Sequence, residues 1–505
     1  MPIMRFAGGI AIFAATVAGC GPTTASSSAE DLVPSEPTMI NYGDPSQVNG
    51  LDVHTVTGGG PGDQRVHAVY PSLEGAPRLT GKLQRTVAEW LDRFNRGALG
   101  NAPGEKAWET VTPAHPEFNV DWQLAAVSSQ VIGVRLRIGR SAGADWVESR
   151  TTVWYDRVDR RALDSDALLR GRPELAELAV LVKGRLAGSR PEVNPGAIGP
   201  EAELFDSLAF NPRGDLVVEF DDHQVASASH GRVAVAVPAS EIGPLLSATG
   251  VRAQRAAVKA VAGMGAVSPQ RTIRETSIPR PRAESSRAGS VDCAKAKCVA
   301  LTYDDGPGPG TGRLLDVLGG HRARATFFST GTNASAHPEL LRRMMREGHL
   351  VGNHTWSHRD LTALTDSKAA DQIDRAQCAI TRAIGQAPGL LRPPYGVTDG
   401  RTASVAGRLG LTLVGWSVNT GDERGADAKT IADRAVAGAG RGSVILLHDV
   451  RDSAVEATPD ILRRLGRKGY TFVTVPELYG SQGMRAGGIY GSEGGPAAPG
   501  RPARP

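Results

Sequence analysis

The stretch Val299-Ala300-Leu301-Thr302-Tyr303-Asp304-Asp305-Gly306-Pro307 decides how this 505-residue chain is read. Its apolar and aromatic run predicts a short buried strand, which ends on two adjacent carboxylates before a Gly-Pro break. Side chains alternate in direction along extended backbone, so Asp304 and Asp305 meet different surroundings and suit different tasks. Downstream lies His354-Thr355-Trp356-Ser357-His358. Two histidines four apart can converge on one ion, and one carboxylate completes a His/His/Asp set. Such a set leaves positions open for water and substrate, as a catalytic metal site requires. Taken singly, each piece has a plainer reading: a strand-end Asp pair is a common cap or turn former, and His-x-x-x-His is a common surface pattern.

Three further segments change that balance. Arg392-Pro393-Pro394-Tyr395-Gly396, Trp416-Ser417-Val418-Asn419-Thr420-Gly421-Asp422 and Leu446-Leu447-His448-Asp449 each sit at the end of an apolar run. In order and spacing, the five segments resemble the five motifs of the NodB-type polysaccharide deacetylases, carbohydrate esterase family 4, from roughly Cys293 to Leu478. The resemblance implies an α/β fold, an incomplete (β/α) barrel of about seven strands with its chemistry at the C-terminal strand ends. It also implies roles. Asp305, His354 and His358 match the metal ligands, for one divalent ion, Zn2+ first and Co2+ or Ni2+ next. Asp304 matches the general base and Arg392 the cation that keeps it ionised. His448 matches the catalytic acid, with Asp422 as its carboxylate partner. The backbone N–H of Tyr395 matches the oxyanion donor, while Trp416 and Leu446 match the pocket for the acetyl methyl group, a core role being the alternative for that pair. One departure is visible: the family commonly has a Trp after the second Asp of the fourth motif, and here Glu423 follows Asp422, which alters one groove wall.

The chain is longer than one core usually organises, so two domains are expected. A formal charge of +4 with interleaved signs gives no sign of nucleic-acid binding and is compatible with an anionic wall or membrane surface. Aromatics are only 5% while Gly and Pro number 61 and 33, so linkers are expected around the apolar segments. Residues 1–20 read as a signal peptide ending in Val17-Ala18-Gly19-Cys20, which resembles a lipobox with Cys20 as the lipidation site; an ordinary secretory signal is the alternative. Either reading implies export. Cys293 and Cys298 are expected to pair in an oxidising compartment, and Cys378 reads as a buried free thiol.

Boundaries follow from composition. After residues 1–20, a flexible tether is expected over 21–51, an α+β domain over 52–255, a basic Pro-containing linker over 256–290, the deacetylase-like domain over 291–480 and a disordered tail over 481–505. In the first domain, Leu83, Val87, Trp90, Leu91 and Phe94 mark an amphipathic helix, and Val134, Leu136 and Ile138 an alternating strand. The segment Asn211 to Phe220 and the closing Val235 to Ile242 resemble the extracellular domain of lysozyme-sensing anti-sigma factors, implying a wall-facing module with lysozyme or another wall ligand as partner. The expectation is therefore a membrane-anchored, metal-dependent N-deacetylase of peptidoglycan N-acetylglucosamine or N-acetylmuramic acid. Chitooligosaccharides or acetylated xylan are alternative substrates, and a sensor with an inert deacetylase domain is the alternative of another class.

Overall fold

In the computed structural model the described residues are 36–60, 64–100, 115–141, 146–187, 193–227, 231–263, 291–480 and 483–491. The expected signal peptide, Cys20, most of the linker and the end of the tail lie outside them. Among the described residues no helix is long and apolar enough to cross a membrane.

The N-terminal part is built on a six-stranded sheet in sequence order: β1 (Leu51–Gly60), β2 (Gln64–Leu73), β3 (Glu117–Val127), β4 (Val131–Ser141), β5 (Trp146–Asp156) and β6 (Arg161–Leu163). All pairs are antiparallel except β2 with β3. The expected helix runs Pro77–Gly100, and Leu83, Val87 and Phe94 on its apolar face are buried against this sheet. A smaller antiparallel sheet follows, β7 (Ser207–Phe210), β8 (Leu216–Phe220) and β9 (Val233–Val237), packed with the helices Arg172–Leu186 and Ala248–Gly263. Asp221 and Asp222 accept from the backbone N–H groups of Arg150 and Glu148, at 2.6 and 2.8 Å, so this acidic turn ties two sheets together.

From Cys298 onward the strands are parallel. Strand β10 (Cys298–Asp304) is central and buried at every residue. It lies between β11 (Ala325–Ser329) and β16 (Ser443–His448). Beyond β11 come β12 (Leu350–Asn353), β13 (Leu390–Leu391), β14 (Thr412–Val414) and β18 (Ile489–Tyr490). Beyond β16 lies β15 (Val418–Asn419), while β17 (Thr471–Phe472) pairs the start of β10. Every pairing in this sheet is parallel. Helices such as Thr311–Gly320, Pro338–Arg346, Asp366–Ile384 and Ala428–Gly438 return the chain between strands, as parallel pairing demands. The result is the expected α/β fold, a curled sheet open between β15 and β18. It has nine strands where about seven were expected.

Several expectations need correction. The hairpin β1–β2 was not legible, because its Gly and polar residues break the alternation. Part of the tail is structured: Ile489–Tyr490 extends the sheet beside β14, with Tyr490 buried edge-on against Tyr479. Within the expected tether, Ile40 is buried in the N-terminal core and the Pro37 carbonyl accepts from Asn211. The first domain's last helix continues to Gly263, past the boundary at 255. Thr458-Pro459 has the pattern of a cap followed by a first-turn proline, yet no helix opens there, and Pro459 lies inside Asp452–Arg467. Burial of Ala454, Val455, Ile461, Leu462 and Leu465 along one face outweighs the hydrogen bond that the proline cannot donate. Cys293 and Cys298 form a disulfide. Cys378 is half-buried, and no described cysteine is a free thiol, which corrects the reading of a buried free thiol there.

Candidate active site

The register of the parallel sheet assembles the site. Asp304, the last residue of β10, pairs in register with His448, the last of β16. Asn353 closes β12, His354 follows it, and Arg392 follows β13; all of these stand at C-terminal strand ends. The five predicted segments therefore converge on one place because their strands are neighbours.

Asp305 is the centre. Its Oδ1 lies 3.5 Å from Nε2 of His354 and 3.5 Å from Nε2 of His358. His354 Nδ1 is 2.7 Å from the Arg392 carbonyl; a carbonyl only accepts, so Nδ1 carries the proton and Nε2 presents its lone pair. Burial pushes the His358 imidazole well below its ordinary range. Burial opposes ionisation of Asp305, but the surrounding rings, His358 foremost, hold its carboxyl well below the usual carboxylate range. Oδ1 of Asp305 and Nδ1 of His358 are buried without hydrogen-bond partners. An anionic oxygen without a donor, set among imidazole nitrogens, is a donor set a divalent ion fits; the ligand atoms of Asp305 and His358 lie within 4.8 Å of each other and of His67, a group that does not include His354.

Asp304 sits in a different setting, as the alternation of side chains implies. Arg392 Nη1 donates to Asp304 Oδ1 and to Thr302 Oγ1, both at 2.8 Å. Its Nε and Nη2 donate to the carbonyls of Val414 and Gly415, and the guanidinium lies over the Phe328 ring. Burial lowers the Arg392 pKa and Asp304 opposes this; the guanidinium, donating four hydrogen bonds, stays charged.

His448 Nδ1 lies 3.1 Å from both oxygens of Asp422, whose Oδ2 also accepts from the His448 backbone N–H at 2.7 Å. Thr420 Oγ1 donates to Asp422 as well. Burial alone would lower the imidazolium, but the Asp422 charge and hydrogen bond raise it to about 10. With Nδ1 engaged, Nε2 is the atom left for a substrate.

Backbone conformation concentrates here. Asp305, Thr355, His358 and Tyr395 have φ of 73, 65, 60 and 60°, in the left-handed region that non-glycine residues avoid. Tyr395 is followed by Gly396 at φ 71°, where a Cβ would stand 2.4 Å from the Trp416 ring, so Trp416 is wedged onto this turn. Leu446, on β16, is buried. Asp449, next to His448, is buried and accepts from Thr311 Oγ1 at 2.5 Å, and burial pushes it up to about 7.

Residues of the N-terminal sheet also reach this place, which the sequence did not disclose. His67 on β2 stacks on the His358 ring with centroids 4.3 Å apart, and its Nε2 is 3.7 Å from Asp305 Oδ1. Arg65 pairs with Asp360 and lies over the Tyr395 ring. Asn119 donates to the Ser357 carbonyl at 2.5 Å. Glu117 accepts from Arg359 Nε and the Asp360 backbone N–H, both at 3.2 Å, so Arg359 too is buried at a contact. Single histidines and arginines in unread strands offered no sequence signal.

A parallel α/β sheet that carries at its strand ends an Asp–Arg pair, a His–Asp pair and an unpartnered carboxylate among imidazoles has the groups that hydrolysis needs. Comparison with known proteins gives the family. Residues 292–414 match the family model described as polysaccharide deacetylase. The chain is 29% identical over 375 residues to the peptidoglycan-N-acetylmuramic acid deacetylase PdaC of Bacillus subtilis (strain 168), covering 73% of this chain and 76% of that protein. It is 37% identical over 187 residues to the peptidoglycan-N-acetylglucosamine deacetylase PgdA of Listeria monocytogenes serotype 1/2a, spanning 37% of this chain and 40% of that protein. A chitooligosaccharide deacetylase of Bradyrhizobium sp. (strain ANU 289) is 36% identical over 204 residues, 93% of its length. The chain belongs to the polysaccharide deacetylase family, hydrolases acting on carbon–nitrogen bonds. These matches do not bear out the expected similarity of the N-terminal domain to anti-sigma factors.

Proposed function

We propose that this chain removes acetyl groups from N-acetylated sugars of peptidoglycan, N-acetylglucosamine or N-acetylmuramic acid, with one divalent ion held by Asp305, His354 and His358. The observation that carries the reading is the buried, unpartnered Oδ1 of Asp305, with two imidazole Nε2 atoms at 3.5 Å. Zinc is the first choice for such a donor set, with cobalt or nickel next. When bound, the ion supplies an acidified water and polarises the acetyl carbonyl.

The chain's own residues do the rest. Asp304 takes the proton of the attacking water, and Arg392 keeps that carboxylate ionised and aimed. The Tyr395 N–H donates to the oxygen that becomes negative, held in place by its strained turn. His448 delivers its Nε2 proton to the departing amine, oriented and kept cationic by Asp422. Trp416 and Leu446 enclose the acetyl methyl. The complete acid and base pairs argue against an inert sensor. Peptidoglycan as substrate is supported by the names of PdaC and PgdA, and by the 375-residue length of the PdaC match, which exceeds residues 291–491 and so runs into the N-terminal part. The chitooligosaccharide deacetylase relative favours the second reading, short chitin oligomers; acetylxylan is the third. Export and anchoring through Cys20 rest on residues 1–20 of the sequence.

The test is acetate release from purified peptidoglycan by the full chain and by residues 291–491, with and without chelator, beside Asp304→Asn. Release that chelator and the substitution both abolish supports the reading. Release only from chitin oligomers or acetylxylan moves the substrate, and release untouched by chelator removes the metal.

A further inference from the structure

We infer that His67, carried by the N-terminal sheet, is a fourth protein ligand to the ion held by Asp305, His354 and His358, so that the arrangement seen here is a closed, substrate-excluding state of the site. The inference rests on the metal reading above and adds the residue that shuts it.

Three observations carry it. The His67 side chain is fully buried, and neither Nδ1 nor Nε2 has a hydrogen-bond partner. Burying an imidazole with both nitrogens unsatisfied costs free energy that some partner must offset. The atom it approaches is Asp305 Oδ1, 3.7 Å from its Nε2 and itself unpartnered. Two ligand atoms on one tetrahedral ion, each about 2.0–2.1 Å from it, stand roughly 3.3 Å apart. The separations of 3.5, 3.5 and 3.7 Å from Oδ1 to the three Nε2 atoms are near that size, whereas a direct hydrogen bond would be shorter. The ligand atoms of His67, Asp305 and His358 also lie within 4.8 Å of one another, a group that does not include His354, so His354 reaches the ion through a small shift of its ring. His67 is moreover held there from both sides: its ring stacks on His358, and its neighbour Arg65 pairs with Asp360.

The consequence lies in coordination number. A catalytic site keeps a position open for water, whereas four protein ligands make a closed, structural set. With His67 bound, that position is taken. The hairpin β1–β2 also lies over the strand ends: Thr57 accepts from Arg451, and Thr55 Oγ1 accepts from Asn333. Asp304, Asp305, His354, His358 and His448 are accordingly all buried. A glycan can reach them only when the hairpin withdraws, and loss of His67 from the ion is part of that opening.

The test uses the full chain loaded with Co2+. Metal affinity is measured by competition with a chelating dye for wild type and His67→Ala, with visible absorption reporting the cobalt ligand field. The expected result is affinity about 10- to 100-fold weaker in His67→Ala, an altered cobalt spectrum and faster acetate release. A second variant, His67→Cys, guards against misfolding: a thiolate-to-cobalt charge-transfer band appears only if residue 67 reaches the ion. Equal affinities, with no such band, overturn the inference and leave the three-ligand reading intact. Wild type that takes up no Co2+ overturns both.

Discussion

Asp304 and Asp305 are chemically identical and one residue apart, yet their partners divide them. One faces a guanidinium and the other three imidazoles. Arg392 matters through geometry, since its planar fork serves Asp304, Thr302 and two carbonyls at once. Lysine keeps the charge but loses the fork, so Arg392→Lys should lower kcat by about 10²-fold, read by acetate release. In the proposed mechanism His448 sets the alkaline limit. Its folded value, about 10, lies above the ordinary imidazole value near 6.5. Its pairing with Asp422 thus contributes stability fully present below about 6.5 and lost as pH rises through the folded value. In the acid's role proposed for it, it must carry its proton, so activity should fall at the same upper end. Asp422→Asn removes the charge that raises it, and the alkaline limb of the pH–rate profile should move down by more than one unit; an unmoved limb would assign the acid elsewhere.

Strand β10 shows how one element serves both stability and chemistry. Its buried residues join the sheet to the helices outside, and Tyr303 reaches the helix Asp452–Arg467, where its hydroxyl lies 3.0 Å from Thr458 Oγ1. The same Thr458 hydroxyl donates to the Ala454 carbonyl one turn back, so the phenol is the donor to Thr458. Thr458→Val keeps the shape and leaves the buried Tyr303 hydroxyl without a partner. It should destabilise the fold by about 1–3 kcal/mol, seen as a lower denaturant midpoint at unchanged slope. This contact also explains why Thr458-Pro459 misleads as a helix start. Locally the pair has a cap's chemistry, but the threonine is engaged across the core and the helix continues through it.

Taken whole, the molecule has one sheet that carries the chemistry and another that covers it. Glu117 illustrates the cover: burial raises its carboxyl, and it is held at the boundary by Arg359 and the Asp360 N–H. Glu117→Ala should remove about 1.5–3 kcal/mol of that contact. Faster hydrogen exchange at the Asp360 amide and faster acetate release from peptidoglycan are the expected readings. Slower exchange, or no change in release, would mean that the N-terminal sheet does not restrain the site.

The sequence by itself determined the parallel sheet, the five segments and the chemical type of each group in them. Short strands with apolar runs and functional residues at their ends are local patterns, legible in a few consecutive residues. Tertiary structure alone decided which strands are neighbours, that Asp304 stands opposite His448, and that a histidine more than two hundred residues away joins Asp305. It also decided that Ile489–Tyr490 completes the sheet edge and that Pro459 sits within a helix. In each case the physical reason is the same. Contacts between residues distant in the chain are set by packing and by the need to satisfy buried polar groups, and neither leaves a periodic trace in the residues around them.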